Sequence, residues 1–311
     1  MQLAPHPVTL RQLQYIVAVA ERASFRRAAE ACRVSQPSLS AQIAQVEAAL
    51  GVQLFERDRR KVTLTQAGKS VVQRARGLLV AADELCEDAR TLGDPFAGTR
   101  RIGVIPTIGP YLLPEVAPVL RSRYPRLSFV WTEEKTAALL ERLAAAEIDG
   151  AIVAIGAETA DLPHVILGKD AFLFAASPAH PLSKSKRPVK PDDLEGEQVL
   201  LLDDGHCFRD QALAYCSRAG AIEGEYRATS LATLVQMAAG GAGVTLLPAL
   251  ALGVENRRKE LHLRPFAPRA PARTIALVWR KQSAVAVTLR PLGETLRAAY
   301  AEVVGRMPVS G

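Results

Sequence analysis

The sequence predicts a multidomain chain of mixed α+β and α/β class: a small helical module closed by a β-hairpin, one long helix, and a larger α/β domain in two lobes. Three observations carry that prediction. Helical periodicity with capping residues fills the first fifty or so positions, one apolar stripe then repeats at seven-residue spacing, and beyond residue 100 strand-like runs alternate with helical patterns. At 311 residues, 49% hydrophobic and 23% charged, the composition is that of an ordinary globular protein, which excludes a disordered or collagen-like chain.

Thr9 stands where an N-cap belongs, ahead of Leu10, Leu13, Ile16, Val17 and Ala20 at helical spacing. Ser24 caps a second, short helix with an apolar face of Phe25, Ala28, Ala29 and Cys32, and the chain then turns through Arg33 and Val34. Ser35 caps a third helix, Pro37 fits its first turn, and Gly51 is placed to end it. That helix buries Leu39, Ile43, Val46 and Leu50, while Gln36, Ser38, Ser40, Gln42 and Gln45 leave its first half polar but uncharged. A merely solvated face would carry Glu and Lys. Uncharged donors and acceptors suit a helix inserted into a major groove, where base edges are read.

Leu54 and Phe55 lead into Arg57, Arg59, Arg60 and Lys61, and Val62 to Thr65 alternates apolar and polar like a strand. The pattern is a two-stranded wing with a basic tip that would neutralise phosphates, completing a winged helix-turn-helix. Residues 1–68 hold nine Lys and Arg against five Asp and Glu, so this first domain carries more than half of the chain's net charge of +7.

Val71, Ala75, Leu78, Ala82, Leu85, Ala89 and Leu92 follow one another at steps of four and three. A long helix with one narrow apolar stripe cannot hide it alone, so residues 69–94 are expected to be a dimerising linker helix. Gly93 to Gly98 break it.

Residues 95–311 form the third unit. Ile102–Ile105, Phe129–Trp131 and Ala151–Ile155 are apolar strand patterns separated by helices over 113–120 and 136–145. Phe172–Ala176, Val199–Leu202, a helix capped by Ser230, and Val244–Leu247 form a second set, closed by a strand over 275–279 and a helix over 289–304. Such alternation predicts a largely parallel sheet. Pro163 and the run Pro265, Pro268, Pro271 mark two crossings, giving lobe I as about 95–168 with 272–311 and lobe II as about 169–271. Ligands in such sheets sit at the carboxyl ends of strands, in the crevice between lobes.

No stretch approaches the roughly 18 apolar residues of a membrane span, and Met1 to Pro7 has no basic region followed by an apolar run. The chain is therefore expected to be cytoplasmic. Thiols there are kept reduced, so the four cysteines are not a structural disulfide framework, and any bridge would be transient or regulatory. Five histidines without paired spacing give no case for a metal, and nothing in the chain calls for a cofactor.

Cys207 and Cys216 are the pair with a chemical reading. It is the thiolate that attacks a peroxide, and neighbouring cations and a helix N-terminus favour the thiolate. Cys207 has His206 before it and Arg209 two residues after, and Asp203-Asp204-Gly205 resembles a turn entering a helix. Nine residues along an ideal helix is a rise of about 13.5 Å and a rotation of about 900°, which puts the two side chains on opposite faces. A disulfide needs Cα atoms roughly 4.4–6.8 Å apart, so a bridge between them requires that segment to unwind. A sulfenic acid trapped in this way turns a chemical event into a refolded loop. Cys32 and Cys86 are expected to be small packing residues.

The segment from Ser24 to Gly68, AAEACRVSQPSLSAQIAQVEAALGVQLFERDRRKVTLTQAG with its leading residues, resembles the DNA-binding module of LysR-type transcriptional regulators, and the likeness runs on through the linker and a two-lobed, periplasmic-binding-protein-like sensor domain. GVIPTIGPYLLPEV at 103–116, DDGHCFRDQALAYC at 203–216 and RATSLATLVQMAAGGAGVTLLPALAL at 227–252 resemble the peroxide-sensing members of that family, with Phe208 and Arg218 as departures. The resemblance implies an activator that is a homotetramer, a dimer of dimers, on double-stranded promoter DNA of antioxidant genes, working with RNA polymerase. It implies hydrogen peroxide as the signal, glutaredoxin or thioredoxin as reductant, Cys207 as the reactive and Cys216 as the resolving thiol. Thr107, Thr136, His206 and Asp210 would hold peroxide beside Cys207. Three other readings stand beside it. A LysR-type regulator of a small anionic metabolite keeps the fold without needing the cysteine pair. A thiol peroxidase has no use for a polar recognition helix and basic wing, and a solute-binding protein would lack the DNA module.

Overall fold

The computed structural model describes residues 6–57, 62–91 and 94–306. The chain divides into two compact units, one ending with the long helix and one beginning after it.

In the first unit α1 (Leu10–Arg22) opens with a full capping box between Thr9 and Gln12, α2 (Phe25–Ala31) is capped by Ser24, and α3 (Gln36–Leu50) is capped by Ser35. Gly51, at φ 68°, ends α3 in the left-handed region that glycine enters without a Cβ penalty. The wing is an antiparallel pair, β1 (Phe55–Arg57) and β2 (Val62–Leu64), registered Phe55 to Leu64 and Arg57 to Val62. Glu47 of α3 accepts the backbone N–H groups of Leu54 (2.8 Å) and Phe55 (3.2 Å), which fixes the wing against the helix. Ile16, Val19, Leu39, Ile43, Val46 and Leu54 are fully enclosed in this module's core.

The long helix α4 spans Gln66–Thr91. Its apolar stripe divides in two. Ala75 is buried and Val71 half-buried against the module core, whereas Leu78 is 57% and Leu85 71% exposed. The side chain of Ala89, and Leu92 with Gly93, lie outside the described residues.

The second unit runs β3 (Gly98–Val104), α5 (Gly109–Arg123), β4 (Leu127–Glu133), α6 (Thr136–Ala144), β5 (Gly150–Ala154), β6 (His164–Ala176), β7 (Gln198–Leu202), α7 (Cys207–Arg218), β8 (Ile222–Ala228), α8 (Leu231–Ala239), β9 (Thr245–Pro248), α9 (Leu252–Glu255), β10 (His262–Arg264), β11 (Ala272–Trp279) and α10 (Ala286–Gly305). The main sheet has the order β10-β6-β11-β5-β3-β4, with β9 also pairing β6, and a small sheet joins β7 to β8. The expectation of a largely parallel sheet needs correction. β3 is parallel to β4 and β5, and β7 to β8, but β11 is antiparallel to β5 and β6, and β6 to β9 and β10. The physical reason is β6. This 13-residue strand pairs β11 through its first part and β9 and β10 through its second, so the expected lobe boundary at 168/169 falls inside one continuous strand, next to a register shift in its pairing with β11. α10 lies close on that strand because Gly168 leaves room for the Tyr300 ring and Gly293 for Val165, where an added Cβ would collide at 2.4 Å and 2.7 Å. Among the described residues no helix is long and apolar enough to cross a membrane.

Candidate functional site

Cys207 is the first residue of α7 and half-buried; Cys216, in the third turn of the same helix, is buried with 2% exposure, and both thiols are free. Burial pushes the Cys216 thiol up to about 12, so it is a neutral thiol at physiological pH. His206 occupies the N-cap position, buried, in extended conformation and without a side-chain capping bond. Burial first, and the charge of Lys135 second, pull its imidazole below the ordinary histidine value against the opposing pull of Asp203. His206 is therefore a neutral neighbour of Cys207 at pH 7.

The cationic help expected from Arg209 goes elsewhere. Its buried guanidinium donates to both Glu223 carboxylate oxygens (2.9 and 3.1 Å) and to the Leu202 carbonyl (3.2 Å), and pairs with Asp204 at 2.9 Å. Arg227 pairs with Asp204 and Glu223 in turn (3.2 and 3.1 Å), so four charges clamp the loop before Cys207 and the start of α7 to β8. What faces the N-terminal end of α7 from within is a different arginine, Arg273 of β11, whose guanidinium carbon lies 5.9 Å from the Phe208 ring centre.

Thr107, buried after the end of β3, is held by that arginine: Nη1 donates to its hydroxyl oxygen at 2.6 Å and Nη2 to its carbonyl at 2.8 Å. Asp170 of β6 accepts from Arg273 Nε at 2.9 Å and from the Leu250 N–H, also at 2.9 Å. A fully enclosed ion pair stands only with its remaining donors and acceptors satisfied, and here they are. Thr136 is the first residue of α6, with a buried hydroxyl oxygen that has no hydrogen-bond partner among the described residues. Next to it, Lys135 donates to the Asp204 carbonyl at 2.6 Å and pairs with Asp203 at 3.6 Å, tying α6 to the loop that precedes Cys207. The structure thus joins the strand end at Thr107, the helix start at Thr136 and the helix start at Cys207 through two cations, Arg273 and Lys135. Asp210 stands exposed in the first turn of α7. The sequence pointed to neither Asp170 nor Arg273. Their only signal was a charge set in each of two apolar runs.

On the nucleic-acid side, Ser35 accepts the Ser38 N–H (3.3 Å), and Ser35, Gln36, Pro37 and Ser38 are all exposed at the start of α3. Ser40 is half-buried. Gln42 also braces α3 against α1: its carbonyl oxygen accepts from the amide of Gln12 at 3.0 Å. Arg57 ends β1, though its side chain, with Arg59, Arg60 and Lys61, lies outside the described residues.

Comparison with known proteins decides the family. Residues 10–69 match the bacterial regulatory helix-turn-helix protein of the lysR family, and residues 93–301 match the LysR substrate binding domain. The chain belongs to the LysR family. Among LysR-family relatives, the DNA-binding transcriptional dual regulator OxyR of Escherichia coli K12 is 44% identical over 292 residues, 94% of this chain and 95% of that protein. A hydrogen peroxide-inducible genes activator of Pectobacterium carotovorum is 44% identical over 291 residues, 93% of this chain and 96% of that one. Among solved structures, a full-length OxyR of Pseudomonas aeruginosa with a cysteine substituted is similar at a TM-score of 0.74 and 34% identity, covering 94% of this chain and 98% of that one. These LysR-family relatives are transcription regulators, and the winged helix-turn-helix followed by a two-lobed domain is the architecture they share with this chain.

Proposed function

We propose that the protein is a hydrogen peroxide-responsive transcription regulator whose switch is a reversible Cys207–Cys216 disulfide, and that it controls antioxidant genes. One observation carries the reading: the two thiols lie on one continuous helix, the first half-buried at its start and the second buried in its third turn. An ideal helix holds such a pair about 13.5 Å apart along its axis. Joining them within disulfide reach unwinds α7 and pulls it away from β8 and the Arg209 clamp. The names of the relatives support peroxide as the oxidant.

The chemistry closes on peroxide alone. The Cys207 thiolate attacks one peroxide oxygen; the O–O bond breaks, an S–O bond forms, and the departing hydroxide leaves as water after protonation. The Cys216 sulfur attacks the resulting sulfenic acid, forming the S–S bond and releasing a second water. Two electrons pass from sulfur to peroxide. A dithiol of the thioredoxin or glutaredoxin class returns them by exchange. Thr107, which keeps its hydroxyl proton to donate, and Thr136, whose hydroxyl oxygen is unpaired, offer a small donor and acceptor the bonds that a buried polar group needs. His206 completes that pocket, and Asp210 borders it from the exposed side of α7. The domain division that serves this function is 1–68 for DNA binding, 69–94 for dimerisation and 95–311 for sensing.

Ser35, Gln36, Pro37, Ser38, Ser40 and Gln42 at the recognition helix, and Arg57, Arg59, Arg60 and Lys61 at the wing, form the contact to double-stranded promoter DNA, with the helix reading bases and the wing neutralising phosphates. The exposed stripe on α4 pairs two chains, and two such dimers make a tetramer that works with RNA polymerase.

The test is a mass-spectrometric thiol map of the purified reduced protein before and after a brief low pulse of hydrogen peroxide. A Cys207–Cys216 bridge with Cys32 and Cys86 still reduced is the expected result; no preferential oxidation at Cys207 would return the reading to a metabolite-binding regulator. In parallel, Cys216→Ser should lose the peroxide-induced shift of the DNA footprint, and a full shift in that variant would sink the disulfide mechanism.

A further inference from the structure

Phe208 is the residue through which α7 is seated in the buried polar cluster. Its side chain is 0% exposed, and it meets Phe172 of β6 edge-on, ring centres 5.0 Å apart and planes at 77°. On another side its ring lies 5.9 Å from the Arg273 guanidinium carbon, and that guanidinium holds Thr107 and Asp170. His206 makes no capping bond at this end of the helix, and Arg209 is anchored outward to Glu223 and Asp204. The inner grip on the first turn of α7 is therefore the phenyl ring.

We propose that Phe208 is a positioning residue for the redox pair, a plug that holds Cys207 against the Arg273, Asp170 and Thr107 cluster and sets how readily the two thiols are converted into the bridge. This rests on the disulfide reading given above. To come within disulfide distance, the Cα atoms of Cys207 and Cys216 approach each other by about 7 Å or more from their helical separation. Phe208, one peptide unit of about 3.8 Å from Cys207, is drawn with it. The ring then leaves the edge contact with Phe172 and uncovers the Arg273 and Asp170 pair. Both the aromatic pair and the cation over the ring are contacts of the reduced helix alone, so they favour the dithiol. Without the ring, the equilibrium moves toward the disulfide.

The experiment equilibrates the full-length protein anaerobically with glutathione mixtures, in which the protein dithiol plus one glutathione disulfide gives the protein disulfide plus two glutathione thiols. Thiols are then trapped by alkylation, and the bridged Cys207–Cys216 peptide is quantified by mass spectrometry. Phe208→Leu is expected to raise the equilibrium constant for bridge formation about tenfold, a potential more negative by about 30 mV. Phe208→Met, which keeps the bulk without a ring, should shift it the same way. Val303→Ala, a small cavity near the end of α10, lowers the melting temperature and should leave the equilibrium where it is. An unchanged constant in both Phe208 variants overturns the plug, as does an equal shift in Val303→Ala. A wild-type protein that forms no bridge at any glutathione ratio overturns the disulfide reading itself and the plug with it.

Discussion

Cys216 and His206 are both displaced from their ordinary acid–base behaviour by burial, and each displacement has a measurable sign. With its thiol held up near 12, Cys216 has about one part in ten thousand of thiolate at pH 8. In a time course of iodoacetamide labelling on the folded reduced protein, the exposed Cys86 should react first and Cys216 last, and the lag should vanish in denaturant. His206 is held low by burial and Lys135, so the unfolded chain binds a proton there more readily than the folded one. Its contribution to stability is intact above the ordinary histidine value and is lost as pH falls below it. Compared with His206→Gln, which does not titrate, the wild type should lose melting temperature between pH 7 and pH 5; parallel curves would show that the site does not feel the proton. Thr136 carries a third test. Its hydroxyl oxygen has no partner among the described residues, so Thr136→Val should melt at or above the wild-type temperature while slowing peroxide oxidation of Cys207 roughly tenfold, read in a stopped-flow or quench-flow series.

At the scale of single elements, the start of α3 bears most directly on DNA binding. The Ser35 cap holds the exposed residues Gln36 to Ser38 in place, so Ser35→Ala should cost about 1 kcal/mol of stability, seen as a lowered midpoint in urea, as well as weaken DNA binding. Such caps were legible in the sequence because they act within three residues: Thr9, Ser24 and Ser35 each accept from an N–H three positions on. The same locality explains what the sequence did not reveal. Asp170 and Arg273 are 103 positions apart and meet only because β6 and β11 pair, so no window of sequence contains both. β8 escaped because among the described residues it pairs with β7 alone and intersperses Glu223, Glu225 and Arg227 among its apolar residues, a pattern that reads as loop. α7 was visible only as a condition on the cysteine spacing, since the face it buries includes Arg209, an ion pair's partner and not an apolar side chain.

For the molecule as a whole, the exposed half of the α4 stripe is the clearest unmet demand. Leu78 and Leu85 face outward from a helix whose earlier turns are already packed. Leu85→Asp should leave the helical circular dichroism of the protein unchanged while moving it to a smaller species in analytical ultracentrifugation and reducing DNA affinity at least tenfold, since a dimer holds two half-sites at once. The seven-residue spacing made this surface readable, whereas the mixed sheet was not readable, because strand direction is decided by a crossover that leaves no mark on local periodicity.

The length of β6 also determines what kind of sensor this architecture makes. Two lobes joined by slack connectors open and shut like a jaw, and their response is geometric. Here one 13-residue strand runs through both, paired with β11 along its first part, across one register shift, and with β9 and β10 along its second, with α10 packed against it, so bending at the joint would disturb that pairing. On the proposed reading, a sensor joined in this way keeps its scattering profile on oxidation, and a changed profile would show that the joint bends. Under the proposed mechanism, the signal to DNA would then be carried as relief on the surface around α7, read by a neighbouring chain that touches it.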